Sequence, residues 1–170
     1  MKKLSDYIGR NLLIYQKSFW EREFEFRSDG ELLGLMRYPK FFSEMAECEI
    51  DKEKYTFKRP HIFSNNIEVR KQGYELPIAK MISNFFATKG ELDLPRGKKI
   101  FMKFGALQTN AEIYAGEYEL IATLYYKFSF KEKCKIEIEK RSEILDDYPW
   151  IIFLAFYFVQ LKRRNTGIVH

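Results

Sequence analysis

Between residues 11 and 139 the chain alternates apolar and polar positions over short runs, as in Phe24-Glu25-Phe26, Glu47-Cys48-Glu49-Ile50, Lys99 to Phe104 and Lys135 to Glu139. A period of two places successive side chains on opposite faces of a strand. Turn-forming residues separate the runs: Ser28-Asp29-Gly30, Ser64-Asn65-Asn66, Gln72-Gly73, Lys89-Gly90, Pro95-Arg96-Gly97 and Ala115-Gly116-Glu117. Breaks at intervals of about 8 to 12 residues are those of an all-β sandwich or barrel.

A shift of 44 residues, applied twice, lines up residues 7 to 50, 51 to 94 and 95 to 138 without gaps. Glu31-Leu32 meets Glu75-Leu76 and Glu119-Leu120, and Phe42 meets Phe86 and Phe130. Leu13 likewise meets Phe57 and Phe101, and Phe19 meets Phe63 and Leu107. Each block has room for about four strands, giving about twelve in all. A three-bladed propeller has too few blades and would leave the last apolar segment uncovered.

The pattern changes after residue 140. Trp150 to Val159, WIIFLAFYFV, contains no polar residue, so every face of a helix formed there is apolar and must be surrounded. Asp146 or Asp147 can cap such a helix, Pro149 suits its first turn, and Lys162, Arg163 and Arg164 suit its negative end. The expected element spans about residues 148 to 163. A closed antiparallel barrel of about twelve strands is wide enough to hold it, because about eight strands are filled by side chains alone and sixteen or more leave a channel. The competing reading is a C-terminal membrane anchor with a basic inner flank. Against it, the roughly fourteen residues between the flanking charges span only roughly 21 Å as a helix, short of the roughly 30 Å hydrocarbon core.

A barrel of this size followed by a wholly apolar terminal helix and a short basic tail, DYPWIIFLAFYFVQLKRR, resembles the tubby C-terminal-like superfamily. The likeness extends from about Asn11 to Arg164 and points to a small bacterial member of the LURP-one-related kind. It implies a helix threaded through the barrel, and its relatives include phosphoinositide-binding domains and phospholipid scramblases. No stretch aligns residue by residue with the basic phosphoinositide site of tubby domains, and no scramblase-like cysteine cluster is present.

Composition narrows the chemistry. The 170 residues include 16 Phe, 11 Tyr and 2 Trp, enough for a large single core, and 29 Lys+Arg against 24 Asp+Glu leave a net charge of +5. That charge is too small to indicate a nucleic-acid partner, and Tyr125-Tyr126-Lys127-Phe128 reads more simply as an alternating strand, with Tyr125 and Lys127 on one face and Tyr126 and Phe128 on the other. Cys48 and Cys134 form no CxxC pair, which fits a reducing, cytoplasmic compartment; whether they pair with each other is left open. The N-terminus has lysines but no uninterrupted apolar stretch or cleavage site, so export is not expected.

Two separated cysteines and two histidines, His61 and His170, supply no metal-ligand spacing and no catalytic triad. The acidic pairs Glu47/Glu49 and Glu91/Asp93 share a strand face and read as water-facing. Pro95-Arg96-Gly97-Lys98-Lys99 lacks phosphate-loop spacing and reads as a basic hairpin. These observations lead to a non-enzymatic binding or scaffold module without cofactor or metal, less plausibly an enzyme with a rim site of carboxylates and His61. Its partner is an anionic phospholipid headgroup or a protein met on the outer surface, because the helix fills the lumen. The expected headgroup contacts are Lys162, Arg163 and Arg164 with Lys98 and Lys99, placing the protein at times on the membrane periphery.

Overall fold

A computed structural model describes residues 2–17, 22–39, 44–61, 63–105, 109–127 and 133–165. These residues form twelve strands: β1 Leu12–Gln16, β2 Glu23–Ser28, β3 Glu31–Arg37, β4 Ala46–Ile50, β5 Glu53–Lys58, β6 Ile67–Lys71, β7 Ala79–Ser83, β8 Lys89–Asp93, β9 Lys99–Phe104, β10 Asn110–Ala115, β11 Glu119–Lys127 and β12 Lys133–Ile138. Each strand pairs antiparallel with its sequence neighbours, and β1 closes on β12 through Leu12↔Ile136 and Ile14↔Cys134. The result is a closed up-and-down barrel. Turn chemistry acts as expected at Asp29-Gly30, where φ values of 47° and 90° give the two-residue primed turn that matches strand twist.

The 44-residue period is visible in the strands. β2, β6 and β10 start at Glu23, Ile67 and Asn110, a period apart to within one residue. The register shifts between Phe26 and Arg27 on β2, and between Ile113 and Tyr114 on β10. The extra residues opposite these shifts are Leu33 and Ile121, two 44-residue periods apart and both buried. A bulge repeated at the same place strengthens local twist in the first and third blocks alike.

The period does not preserve facing. Phe57 points inward with no exposed surface, while Leu13 and Phe101, its counterparts one period away, lie on the outer face and are partly covered. A slip of one residue exchanges a strand's two faces. Phe63 and Phe86, expected in the wall by the same alignment, are instead 88% and 75% exposed. Phe19, Phe42 and Phe130 lie outside the described residues.

Helix α1 covers Glu143–Asp147 and α2 covers Ile151–Asn165. Every residue from Trp150 to Leu161 is buried, Gln160 included. Rings from several sides of the barrel touch α2: Phe26 meets Phe153, Phe24 and Tyr126 meet Phe156, Phe57 meets Tyr157, and Phe104 meets Phe158. Contacts from β2, β5, β9 and β11 on one helix require that it run through the lumen. Gly34 on β3 shows how close the wall comes, since a Cβ there would sit 2.8 Å from Phe153 Cε2 and 2.9 Å from the Glu49 carbonyl oxygen. Among the described residues no helix is long and apolar enough to cross a membrane.

The expected helix start needs correction. Asp146 and Asp147 do not cap α2; they belong to α1, and Pro149 precedes the first helical residue, Ile151. Asp146 instead accepts a hydrogen bond from the Ser5 backbone N–H at 2.8 Å, and Asp147 pairs with Lys98. The cysteines are both buried and form no disulfide; burial pushes the Cys48 thiol well above its ordinary pKa, consistent with a packing role.

Candidate functional site

With the lumen filled, chemistry is confined to the wall and the two mouths. Connections of an up-and-down barrel alternate between its ends, so β1–β2, β3–β4, β5–β6 and β7–β8 all turn at the mouth where α2 ends. The connections β2–β3, β4–β5, β6–β7 and β8–β9 turn where it begins.

The mouth at the start of α2 is stoppered. A 3-10 turn, Leu4–Tyr7, packs on α1, with Leu4, Tyr7 and Leu145 each no more than 1% exposed. Ser5 Oγ accepts the Ser142 N–H at 3.2 Å while the Ser5 N–H is held by Asp146. Lys98 meets Asp147 at 3.3 Å, and Lys99 pairs with Glu91 and Asp93. Both lysines are therefore occupied by carboxylates.

The mouth at the end of α2 gathers the other three expected cations. Lys162 Nζ donates to the Ala87 carbonyl at 2.7 Å, and burial lowers its pKa. The Arg163 guanidinium lies 4.9 Å from the Tyr126 ring centre and is buried. Arg164 lies 4.0 Å from the Tyr38 ring centre, and Arg22, not anticipated from sequence, lies 4.6 Å from the same ring. Burial and then the Arg164 charge lower the Arg22 pKa. One turn back along α2, the buried Gln160 amide Nε2 has no hydrogen-bond acceptor among the described residues.

The expected five-cation cluster is thus two groups, separated by α2; its fifteen residues measure about 22 Å. Lys162, Arg163 and Arg164 belong together, and Lys98 and Lys99 lie at the far end.

The wall carries ion pairs along its outer face: Arg37 with Glu47, Lys54 with Glu49, Lys71 with Glu53, and Arg70 with Glu68. The acidic pairs Glu47/Glu49 and Glu91/Asp93 occupy this outer face as expected. Glu25 is the most enclosed of the wall carboxylates, receiving Arg27 Nε at 2.8 Å and Tyr15 Oη at 2.9 Å. His61 is exposed, and among the described residues no group of three His, Cys, Asp or Glu is placed to hold a metal.

Sequence reasoning missed a further feature of the α2-end mouth. Phe63 on the β5–β6 connection, with Phe85 and Phe86 on the β7–β8 connection, are 88%, 87% and 75% exposed. The available signal was their position: both sites interrupt turn chemistry, between Pro60 and Asn65-Asn66 and between Asn84 and Thr88. Comparison with known proteins found no matching family model, curated protein or solved structure.

Proposed function

We propose that this protein is a non-enzymatic binding module of the tubby C-terminal-like kind, which docks the mouth at the end of α2 on anionic phospholipid headgroups. The observation carrying this reading is the convergence of Arg22, Lys162, Arg163 and Arg164 at one mouth, held by ring faces and a carbonyl. Occupation of the lumen by α2 supports binding at a rim rather than inside. The twelve-stranded barrel around a helix is the feature that favours the superfamily. The anchor reading is disfavoured, because withdrawing α2 would strip the barrel of its core.

The test is co-sedimentation of the full chain with neutral vesicles and with vesicles containing about a third anionic lipid. Binding should favour the anionic vesicles and weaken with salt. Replacing Arg164 by Glu should reduce partition about tenfold or more, since each interfacial cation contributes about 1 kcal/mol and reversal counts twice. Equal binding to both vesicle types would overturn the reading.

A further inference from the structure

Phe63, Phe85 and Phe86 together form an apolar tip at the same mouth as the basic end of α2. Isolated exposed apolar residues are ordinary on proteins, but three phenylalanines on two adjoining loops are a patch. The Phe85 and Phe86 rings pack edge to face, 5.3 Å apart, so both stand out from the same turn.

The loops beneath them are braced. Asn84 Oδ1 accepts the Thr88 N–H at 2.8 Å and the Lys89 N–H at 2.9 Å, and Asn84 Nδ2 reaches Thr88 Oγ1 at 3.0 Å. Asn65 Nδ2 donates to the Phe85 carbonyl at 3.2 Å, and Ser83 Oγ donates to the Asn65 carbonyl at 3.0 Å, tying the two loops together. Ala87 adopts a φ of 52°, unusual for a residue with a Cβ, and its carbonyl is the one Lys162 holds. These bonds tie together the two loops that carry the rings.

Charge identifies the occupant. Residues 59–66 and 84–88 contain no Asp or Glu, while Lys58 and Lys89 stand exposed at the strand ends and Lys162 lies under Ala87. An apolar tip flanked by these lysines, with the neighbouring Glu44 already paired to Arg59, complements a surface that is anionic outside and hydrocarbon within. It does not complement a second copy of itself, which would bring like charges together.

We infer that Phe63, Phe85 and Phe86 form a wedge that enters the hydrocarbon edge of an anionic bilayer, while the cations around them engage its headgroups. This rests on the membrane-docking reading above and adds a contact that salt does not screen.

The experiment compares the full chain with the triple variant Phe63→Ser, Phe85→Ser, Phe86→Ser, and with Arg164→Glu, on the same vesicles at low salt and at about 1 M salt, where the Debye length is about 3 Å. The wild type should keep a residual, salt-resistant partition; the triple variant should lose it and fall at least tenfold at low salt, with unfolding temperature unchanged. Arg164→Glu should lose the salt-sensitive part of binding and keep the resistant part. If the triple variant partitions like wild type, the wedge is wrong and the headgroup reading stands. If neutral and anionic vesicles bind wild type equally, yet the triple variant loses binding, the wedge stands and headgroup selectivity falls. Absence of binding to any vesicle overturns both, as does phenylalanine-dependent self-association in sedimentation equilibrium without vesicle binding.

Discussion

The two mouths of this barrel solve the same problem in opposite ways. Where α2 begins, the exposed ends of the wall and helix are covered by chain: Leu4, Tyr7 and Leu145 are buried, and Ser5, Ser142 and Asp146 exchange hydrogen bonds. Apolar residues are exposed there too, Tyr118, Leu76, Tyr74, Leu32 and Ile8, but they are spread over different connections and strand ends, with carboxylates such as Glu117, Glu75 and Glu31 beside them in sequence. Where α2 ends, Phe63, Phe85 and Phe86 project from braced loops free of acid. At the first mouth chain and hydrogen bonds cover the helix start; at the second, exposed rings are gathered on two loops tied to each other. The mouth whose exposed rings are gathered beside cations, and not the stoppered one, is where a partner is to be sought.

The comparison can be broken most completely by deleting residues 149 to 164, which removes the element common to both ends. Near-ultraviolet circular dichroism and calorimetry should then show loss of cooperative unfolding; a truncated chain that melts cooperatively would exclude the threaded-helix core. Phe153→Ala, opening a cavity against Phe26 in the first turn of α2, should cost about 3–5 kcal/mol in denaturant unfolding. At the stoppered mouth, Asp146→Ala should cost about 1–3 kcal/mol by orphaning the Ser5 N–H, and should speed amide exchange there.

The wall between the mouths gives a smaller, pH-dependent effect. The hydrogen bond from Arg27, assisted by Tyr15, holds the Glu25 carboxyl below its ordinary pKa, so folding favours the ionised form. That stabilisation is complete above the unfolded carboxylate range and is lost as pH falls through the lower folded value. Glu25→Gln should cost about 1 kcal/mol near neutrality and flatten the acid side of the stability profile, read by melting from pH 7 downward. Smallest of all, Phe85→Ser should change stability by less than about 0.5 kcal/mol, since the ring packs on little but Phe86. A larger loss would mean that the aromatic mouth is structural after all.

Much of the architecture was legible because period and turn chemistry report strand boundaries directly. Asp29-Gly30, the three-block alignment and the wholly apolar run from Trp150 to Val159 lead to twelve strands and an enclosed helix. What stayed hidden depends on facing and on which end a turn occupies. Phe57 and Phe101 share a column of the repeat but point to opposite sides, and Lys98 lies at the other end from Lys162. Asp146 had the composition of a helix cap, yet its partner, Ser5, is 141 residues away, beyond the reach of any local pattern. Arg22 and Arg164 become neighbours only through Tyr38 on β3's far side, so their shared site had no contiguous signature.

The closure of β1 on β12 also dictates an order of events during synthesis. Leu12 cannot pair until Ile136 has been made, and α2, which fills the lumen, follows all twelve strands in the chain. Until then the inward side chains of every hairpin have no core to join. Productive folding must therefore wait for nearly the whole sequence, with slow, non-local closure as its rate-determining step and a nascent chain that depends on shielding from its neighbours.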